Sequence, residues 1–327
     1  MSRNVPDITV IIPTRNRADL IGYAIDSLFA QKFTDWECLI IDDGSTDHTR
    51  DVVERKTASD DRFVYVPRRP LGVCSARNHG VRIARGKYLC FLDSDDAYLP
   101  EGLLDLYQAI ISRPEVKLVY ADYKVNDIRT GEERHFSSFP PPPRPYLYQC
   151  FIKPRGNPIL PSASIVEKDA FNHVGLFDTF FVTSQTVEFW GRFVEKYDIG
   201  YLNKATSVYR RHDGQVTTQL QKRLYFYDQI ALRAIDRLTV DVLFPGDSIP
   251  EKADRIEAFA KTLYRSPFPI LQSCLKLGTV AQKLSYSKRR EKLISVMKKN
   301  AQLIIEQRLG LSLCELHSDV PPFLLQP

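Results

Sequence analysis

Acidic residues directly follow two short apolar runs, and this arrangement points to a site for a divalent cation. Asp42 and Asp43 come after the apolar residues 38–41, and the segment Asp93-Ser94-Asp95-Asp96 comes after the apolar residues 88–92. If these carboxylates gather in one place, they repel one another unless they share a positive charge. Carboxylate oxygens are hard ligands that suit Mg²⁺ or Mn²⁺ better than zinc. The sequence therefore predicts Mn²⁺ or Mg²⁺ as a cofactor.

Part of the first acidic segment has a simpler interpretation. Ser, Thr and Asp commonly form turns and cap the first turn of helices. We adopt this structural interpretation for Ser45, Thr46 and Asp47, which precede a helical pattern. For Asp43, and for Asp93 with Asp95 after an apolar run, we instead expect a role in the site.

The elements that must position these residues can be predicted from hydrophobic periodicity. Short β-branched apolar runs predict strands, and patterns with an apolar face predict helices. Strands are predicted at residues 8–12, 38–41, 63–66, 88–92 and 118–120, and helices at 20–28, 47–55 and 75–84. This alternation implies an α/β fold with a mostly parallel sheet and helices on both faces. Ligands of such sheets bind beyond the carboxyl ends of the strands, where the acidic segments lie.

In the second half of the chain, the sequence patterns no longer predict alternating strands and helices. A polar hairpin is expected around Thr130-Gly131, and the proline-rich residues 140–145 form a loop because proline interrupts helices and central strands. Beyond residue 214 the patterns become helical and strand signals fade. We predict a catalytic domain over residues 1–214 and a helical C-terminal region over residues 215–327.

Composition and charge narrow the class of protein. The 327 residues are 43% hydrophobic and 26% charged, which is typical of a globular protein. A net charge of +5 without a dense basic stripe does not favour a nucleic-acid partner. No stretch reaches the ~18 apolar residues of a membrane span, so a cytoplasmic location is expected. Basic and apolar residues interleave between residues 283 and 299, which fits either a helix face packed on the catalytic domain or peripheral contact with the inner face of a membrane.

Four segments together resemble the family 2 nucleotide-sugar glycosyltransferases, which have the GT-A fold. The segments are Pro13-Thr14-Arg15-Asn16, Asp42-Asp43-Gly44-Ser45-Thr46-Asp47, Ser75-Ala76-Arg77-Asn78-His79-Gly80 and Phe91-Leu92-Asp93-Ser94-Asp95-Asp96. The resemblance covers residues 8–98 and continues weakly to about residue 218. It implies a Rossmann-like GT-A domain with a donor half at about 1–98 and an acceptor half at about 99–214.

The resemblance also implies roles on the donor side. Asp43 is expected to receive the nucleotide base, usually uracil, with Pro13 and Arg15 lining the same pocket. Arg77 either reaches the donor or ties down its own loop. Asp93, Ser94 and Asp95 form the D-x-D segment, in which Asp95 ligates the metal and Asp93 reaches the ribose or a metal-bound water.

A weaker match lies at Tyr209-Arg210-Arg211-His212. The resemblance implies that His212 is either a further metal ligand or a contact to the diphosphate. Arg210 is a candidate for binding the diphosphate, because guanidinium groups bind phosphate oxygens in pairs. The alternatives are a structural histidine and a solvated arginine.

The acceptor side departs from the family pattern. Aligning Glu188-Phe189-Trp190 with the family's acidic helix places Gln185 and Thr186 where a Glu-Asp pair is expected, and the Asp of that pair is the general base. Threonine does not accept a proton at neutral pH. Three alternatives follow: Glu188 replaces the base, the register is shifted, or activity is impaired. Glu188 can equally be a structural carboxylate that holds the acceptor loop.

Taken as a whole, the resemblance implies an inverting hexosyltransferase that uses a nucleotide diphosphate sugar, expected to be a UDP-sugar. The acceptor is expected to be a hydroxyl of a saccharide or a lipid-linked molecule in polysaccharide biosynthesis. Two other functions stay open: a catalytically impaired protein that binds nucleotide sugars, and a sugar-phosphate nucleotidyltransferase. The latter usually carries a glycine-rich segment after the first strand, where this chain has Pro-Thr-Arg-Asn.

Overall fold

The computed structural model describes residues 5–142 and 157–213, together with Gln215, Phe226, Ile230 and Arg233. The predicted helical region 215–327, with its basic segment, lies outside the described residues except for those four positions. The proline-rich run is described only through Pro142, and its described part forms neither helix nor strand. The elements given below belong to one compact unit that ends at Phe226.

Strands and helices alternate through the first hundred residues, as the periodicity predicts. The strands are β1 (Ile8–Thr14), β2 (Trp36–Asp42), β3 (Phe63–Pro67), β4 (Tyr88–Phe91), β5 (Ala97–Tyr98), β6 (Leu118–Asp127), β7 (Glu132–Phe136), β8 (Ser164–Glu167) and β9 (Gly200–Arg211). The helices are α1 (Ile21–Phe29), α2 (Thr49–Thr57), α3 (Val73–Ile83), α4 (Gly102–Ile111), α5 (Ala170–Val174) and α6 (Gln185–Lys196). A single 3₁₀ turn, Pro161–Ala163, precedes β8.

The described strands form one sheet in the order β3-β2-β1-β4-β8-β6-β9-β5, and β7 pairs with β6. From β3 to β4 all neighbours are parallel, and β6 is parallel to β9. The remaining pairs are antiparallel, because the hairpin at Thr130-Gly131 folds β7 back onto β6 and β8 runs against both of its neighbours. The predicted α/β fold is confirmed, with a parallel sheet from β3 to β4 and a mixed sheet beyond β4.

Helices cover both faces of the central strands. Ile8, Val10 and Ile12 of β1 share a core with the apolar faces of α1 and α4. On the opposite face α3 packs against Ile11, so closely that a Cβ atom added at Gly80 would lie 2.6 Å from Ile11 Cγ2. Strands buried on both faces explain why these runs are apolar throughout rather than alternating.

No helix among the described residues is long and apolar enough to cross a bilayer.

Candidate functional site

The loops that follow β1 and β2 are joined at the carboxyl ends of these parallel strands. The main-chain N–H of Asn16 donates to Ser45 Oγ at 2.9 Å, and the Thr46 N–H donates to Asn16 Oδ1 at 2.8 Å. Asp47 Oδ1 accepts the N–H of Thr49 at 3.0 Å, so this carboxylate supports the first turn of α2. The turn and capping roles assigned to Ser45, Thr46 and Asp47 fit these contacts.

Asp43 is buried and holds the loop that leads into α3. Its Oδ1 accepts the Leu71 N–H at 2.9 Å and its Oδ2 accepts the Gly72 N–H at 2.7 Å. A carboxylate has about four acceptor positions, so each oxygen keeps capacity for a further donor. Pro13 lies in β1 and is buried, and it pairs with Ile41 of β2, two residues before Asp43. Arg15 is exposed on the loop after β1.

Arg77 lies beneath the D-x-D segment and is almost completely buried. Its Nη2 donates to Asp93 Oδ1 at 2.6 Å, and its guanidinium carbon lies 5.7 Å from the centre of the Phe177 ring. Within the described part of the chain, Arg77 Nε and Nη1 are buried without a hydrogen-bond partner. Both alternatives for Arg77 therefore have support: it anchors Asp93, and it keeps N–H groups for another acceptor.

Asp95 and His212 are brought together from distant parts of the chain. His212 Nε2 lies 3.0 Å from Asp95 Oδ2, and both side chains are mostly buried. Ser94, between the two D-x-D carboxylates, is buried as well. Hence the structure places two of the three sequence candidates for metal ligation, Asp95 and His212, in direct contact.

Asp96 is a buried carboxylate that sequence reasoning did not single out as a site residue. It accepts the Ser162 hydroxyl at 2.6 Å and the Arg210 main-chain N–H at 3.1 Å. Ser162 Oγ in turn accepts the Asp93 N–H at 3.2 Å, so one hydroxyl joins both ends of the acidic turn. Burial raises the pKa of Asp96 well above its usual range, and the neighbouring Asp95 and Asp93 carboxylates raise it further.

This crowding of negative charge fits a divalent cation. Among residues 5–142 and 157–213, no three His, Cys, Asp or Glu side chains stand in a metal-ligating arrangement, and Asp93 is turned toward Arg77. Mg²⁺ is commonly bound through one or two carboxylates, with waters and substrate phosphates completing the set. Asp95 with His212 supplies that kind of partial ligand set, and a cation there would offset the mutual repulsion of the acidic segment.

Arg210 lies beside the acidic segment but forms no salt bridge with any described residue. Its guanidinium carbon stacks 3.8 Å from the centre of the Tyr23 ring, and its Nη1 is buried without a partner in the described part of the chain. Tyr23 was not found by sequence reasoning, because an exposed tyrosine on an amphipathic helix carries no distinguishing pattern.

On α6, the Glu188 carboxylate is fixed by an arginine one helical turn away. Arg192 Nε donates to Glu188 Oε1 at 2.6 Å and Arg192 Nη2 donates to Oε2 at 2.9 Å. The same guanidinium donates to the carbonyl oxygens of Val174 and Leu176. This arrangement favours the structural role of Glu188, as a carboxylate that holds the loop after α5.

Thr186 lies in the first turn of α6 and is only partly buried. Ser184, the residue directly before α6, adopts a left-handed conformation with φ of 57°. Trp190 of the same helix is completely buried and packs against the rings of Phe189 and Phe193, which identifies it as a core residue.

Helix α3 is hydrogen-bonded to the loop before α6 through Asn78. Asn78 Nδ2 donates to the Phe177 carbonyl oxygen at 2.8 Å, and the Phe177 N–H donates to Asn78 Oδ1 at 2.9 Å. Because Arg77 is the adjacent residue, the loop before α6 and the D-x-D segment are held by neighbouring positions of one helix.

Comparison with known proteins places these residues in a known sequence family. The profile described as Glycosyl transferase family 2 matches residues 9–175, just over half of the 327 residues. An uncharacterized glycosyltransferase of Rickettsia typhi is 25% identical over 240 residues, which cover 72% of this chain and 73% of that protein. The GalNAc(5)-diNAcBac-PP-undecaprenol beta-1,3-glucosyltransferase of Campylobacter jejuni is 38% identical over 106 residues, covering 32% of this chain and 34% of that protein.

Solved structures share the fold at low sequence identity. The structure of S. aureus TarS in complex with UDP-GlcNAc aligns with a TM-score of 0.54 and 17% identity over 95% of this chain and 85% of that one. The mannosyltransferase PcManGT from Pyrobaculum calidifontis, in complex with GDP-Man and Mn²⁺, aligns with a TM-score of 0.56 and 16% identity over 94% and 89%. The matched sequence segment contains Asp43, Arg77 and the whole acidic turn after β4.

Proposed function

Because the chain belongs to glycosyl transferase family 2, we propose that it transfers a hexose from a UDP-sugar to a hydroxyl group, with inversion at the anomeric carbon. The observation that carries this proposal is the acidic turn after β4, with Asp95 against His212 and with Arg77 and Arg210 beside it. Carboxylates, an imidazole and guanidinium groups with unpaired N–H groups suit a donor that presents a metal-bound diphosphate.

We assign donor recognition to residues at the ends of β1 and β2, on α3 and near the end of β9. Asp43 would accept the imide N–H of a uracil base, with Pro13 and Arg15 along the same pocket. Arg77 and Arg210 have buried N–H groups without a partner among the described residues, and diphosphate oxygens are suitable acceptors for them. TarS was crystallised with UDP-GlcNAc and the mannosyltransferase with GDP-Man, so the shared fold accepts either base.

The metal would be held by Asp95 and His212, with Asp93 and Ser94 at its edge. When bound, Mn²⁺ or Mg²⁺ neutralises the negative charge that develops on the departing diphosphate. The chain's own contribution is to hold the acidic turn in place before the donor arrives. Asp96 does this through Ser162 and the Arg210 main chain, so the turn needs little rearrangement on binding.

The chemical step is a single displacement. The acceptor oxygen forms a bond to the anomeric carbon, the bond from that carbon to the diphosphate oxygen breaks, and the acceptor hydroxyl loses its proton. A base must take this proton, and Thr186 stands at the expected position without the ability to do so. Glu188 is held at both oxygens by Arg192. These two observations favour a second candidate function, a donor-binding protein with weak transfer activity.

The acceptor is proposed to be a saccharide or lipid-linked hydroxyl. The similar enzyme of Campylobacter jejuni is named for a glycan linked to undecaprenol through a diphosphate. An acceptor of that class would bring the protein to the inner face of a membrane as a peripheral protein of the cytoplasm.

The proposal is tested with a panel of UDP-sugars and GDP-mannose in the presence of Mn²⁺. Thermal stabilisation identifies the donor, because a ligand that binds only the native state raises stability with its affinity. Release of UDP with and without lipid-linked acceptors then measures hydrolysis and transfer. Stabilisation with transfer supports the enzyme, and stabilisation without transfer supports the donor-binding protein. If none of the nucleotide sugars stabilises the protein, the proposed function is wrong.

A further inference from the structure

Arg210 is held on three sides next to the acidic turn. Its main-chain N–H donates to Asp96 Oδ1 at 3.1 Å, and its carbonyl oxygen accepts the Gln215 side-chain amide at 2.8 Å. Its guanidinium carbon lies 3.8 Å from the centre of the Tyr23 ring. Both the backbone and the charged end of Arg210 are therefore fixed.

The Arg210 guanidinium forms no salt bridge with a carboxylate of the described residues. Arg210 is only 8% exposed, and its Nη1 is buried with no hydrogen-bond partner among the described residues. The other buried arginine of the site, Arg77, is different because it forms a salt bridge with Asp93. A buried cation without a salt bridge is costly, so a site of this kind is suited to an anionic ligand.

An aromatic face can hold a cation without cancelling its charge. Ring quadrupoles attract guanidinium groups, and Arg stacks on such rings more readily than Lys does. A carboxylate in the place of Tyr23 would also fix Arg210, but it would compete with a phosphate oxygen for the same N–H groups. Stacking leaves those N–H groups available.

Tyr23 has no evident structural reason to occupy its position. It lies on α1 with 56% of its surface exposed, whereas Ile21, Ala24, Ile25 and Leu28 of the same helix form the buried face. Its replacement should therefore leave the fold intact, and its contact with Arg210 can be tested separately from stability.

We propose that Tyr23 is a positioning residue for the donor: it holds the Arg210 guanidinium by stacking, so that its unpaired N–H group binds an oxygen of the donor diphosphate. This inference rests on the proposed function, because it requires a nucleoside diphosphate in the site. Tyr23 acts only through Arg210 and makes no contact with the reacting atoms. The aromatic ring is the necessary part, and the phenolic hydroxyl is not.

The test is titration of the full chain with UDP and with uridine, in the presence of Mn²⁺, for four variants. Tyr23→Phe keeps the ring, and Tyr23→Leu keeps an apolar side chain without it. Arg210→Ala removes the cation, and the double variant Tyr23→Leu/Arg210→Ala measures their coupling. Phe29→Leu is the matched control, since Phe29 is another exposed aromatic residue of α1 that stacks on Phe63 instead.

Tyr23→Leu should weaken UDP binding by ~5–30-fold, the range of a cation–π contact. Tyr23→Phe should bind UDP within about twofold of the original chain, as should Phe29→Leu. Uridine, which lacks phosphate, should bind all variants alike, and Tyr23→Leu should add no loss to Arg210→Ala. Melting temperatures without ligand should be similar, which would exclude unfolding as the cause.

Three results would overturn the inference, and they can be distinguished from one another. If Arg210→Ala weakens UDP binding while Tyr23→Leu leaves it unchanged, Tyr23 does not position Arg210, although the proposed function stands. If the original chain binds no nucleoside diphosphate, with GDP tested beside UDP, the proposed function fails and the role of Tyr23 fails with it. Equal losses of UDP and uridine binding in Tyr23→Leu would also contradict a role through the diphosphate.

Discussion

The carboxylates of the site each have a specific partner that fixes their position. Asp43 accepts two main-chain N–H groups of the loop before α3, Asp93 is paired with Arg77, and Asp95 contacts His212. Fixed acceptors of this kind lose little conformational entropy when a ligand binds. The roles of individual residues can therefore be separated by substitutions that keep shape and change charge or donor capacity.

Replacing Asp43 with asparagine should weaken uridine nucleotide binding. The amide keeps only one acceptor oxygen, so its NH₂ group must point toward either the Leu71 N–H or the Gly72 N–H. The amide then also has less capacity to accept the imide N–H of uracil. We expect UDP affinity to fall ~10–100-fold, the scale of a lost hydrogen bond to a charged group. Isothermal titration calorimetry measures the UDP affinity, and Asp19→Asn at an exposed position is the control. Unchanged UDP affinity would exclude this role of Asp43.

Introducing an acidic residue at position 186 should raise turnover. Thr186→Asp restores a proton acceptor in the first turn of α6, and a general base contributes ~10²–10⁴-fold to the rate. UDP affinity should not change, because the donor contacts lie on other elements. The measurement is product formation with a suitable acceptor beside UDP titration, which separates chemistry from binding.

Glu188→Gln is the matched comparison for Thr186→Asp. Glutamine removes the charge that pairs with Arg192, so stability should fall by about 1–3 kcal/mol while turnover of the Thr186→Asp variant persists. The opposite pattern, brisk turnover of the original chain that Glu188→Gln abolishes without loss of UDP binding, would make Glu188 the base.

Helix α3 links the packing of the sheet to the geometry of the site. It carries Arg77 and Asn78 and lies against β1 at Gly80, where no side chain fits beside Ile11. Arg77, which pairs with Asp93, lies three residues before Gly80 on the same helix. A residue that forces α3 away from the sheet should therefore affect both stability and donor binding.

Gly80→Ala should destabilise the fold by about 1–3 kcal/mol, the usual cost of overpacking a core. The added methyl group would lie 2.6 Å from Cγ2 of Ile11, a branched side chain that is completely buried. Gly22→Ala in α1 is the control, because its methyl group would meet only the flexible end of Lys56, at 3.0 Å. Urea unfolding compares the two variants. Equal stability of both would mean that α3 can move freely away from β1.

The elements of the donor half follow from local patterns, whereas the partners of the site do not. Apolar runs and amphipathic faces are sufficient to predict β1 to β4 and α1 to α3, and the convergence of strand ends predicts where the acidic turn lies. Asp96, however, contacts Ser162 and Arg210, which are 66 and 114 residues away in the sequence. No local sequence pattern identifies Ser162 and Arg210 as partners of Asp96, because they contact Asp96 only when β8 and β9 join the sheet.

For the chain as a whole, the predicted end of the catalytic domain can be compared with the packing of Phe226. The predicted boundary lies at residue 214, but the ring of Phe226 packs 5.7 Å from Phe180 and 5.6 Å from Phe181, measured between ring centres. The compact unit that holds the site ends at Phe226. We propose that the catalytic domain extends to Phe226. The sequence does not predict this end, because helical periodicity after residue 214 does not show where a helical segment packs.

The chain carries a net charge of +5, yet its proposed donor site is lined by carboxylates. A nucleoside diphosphate that approaches Asp93 and Asp95 is repelled by their carboxylates unless a cation lies between the diphosphate and these residues. Donor binding should consequently depend on a divalent ion and on the carboxylate that holds it. This dependence is the central claim of the proposed function.

The most direct measurement is the affinity of the full chain for UDP with Mn²⁺, with a chelator, and in the Asp95→Ala variant. Asp51→Ala, on the exposed face of α2, is the control for removing a carboxylate. We predict that chelation and Asp95→Ala each weaken UDP binding by at least ~10-fold, on the scale of losing a charged partner, and that Asp51→Ala does not. UDP binding that is equally tight in Asp95→Ala with Mn²⁺, or in the original chain with the chelator, would contradict the account.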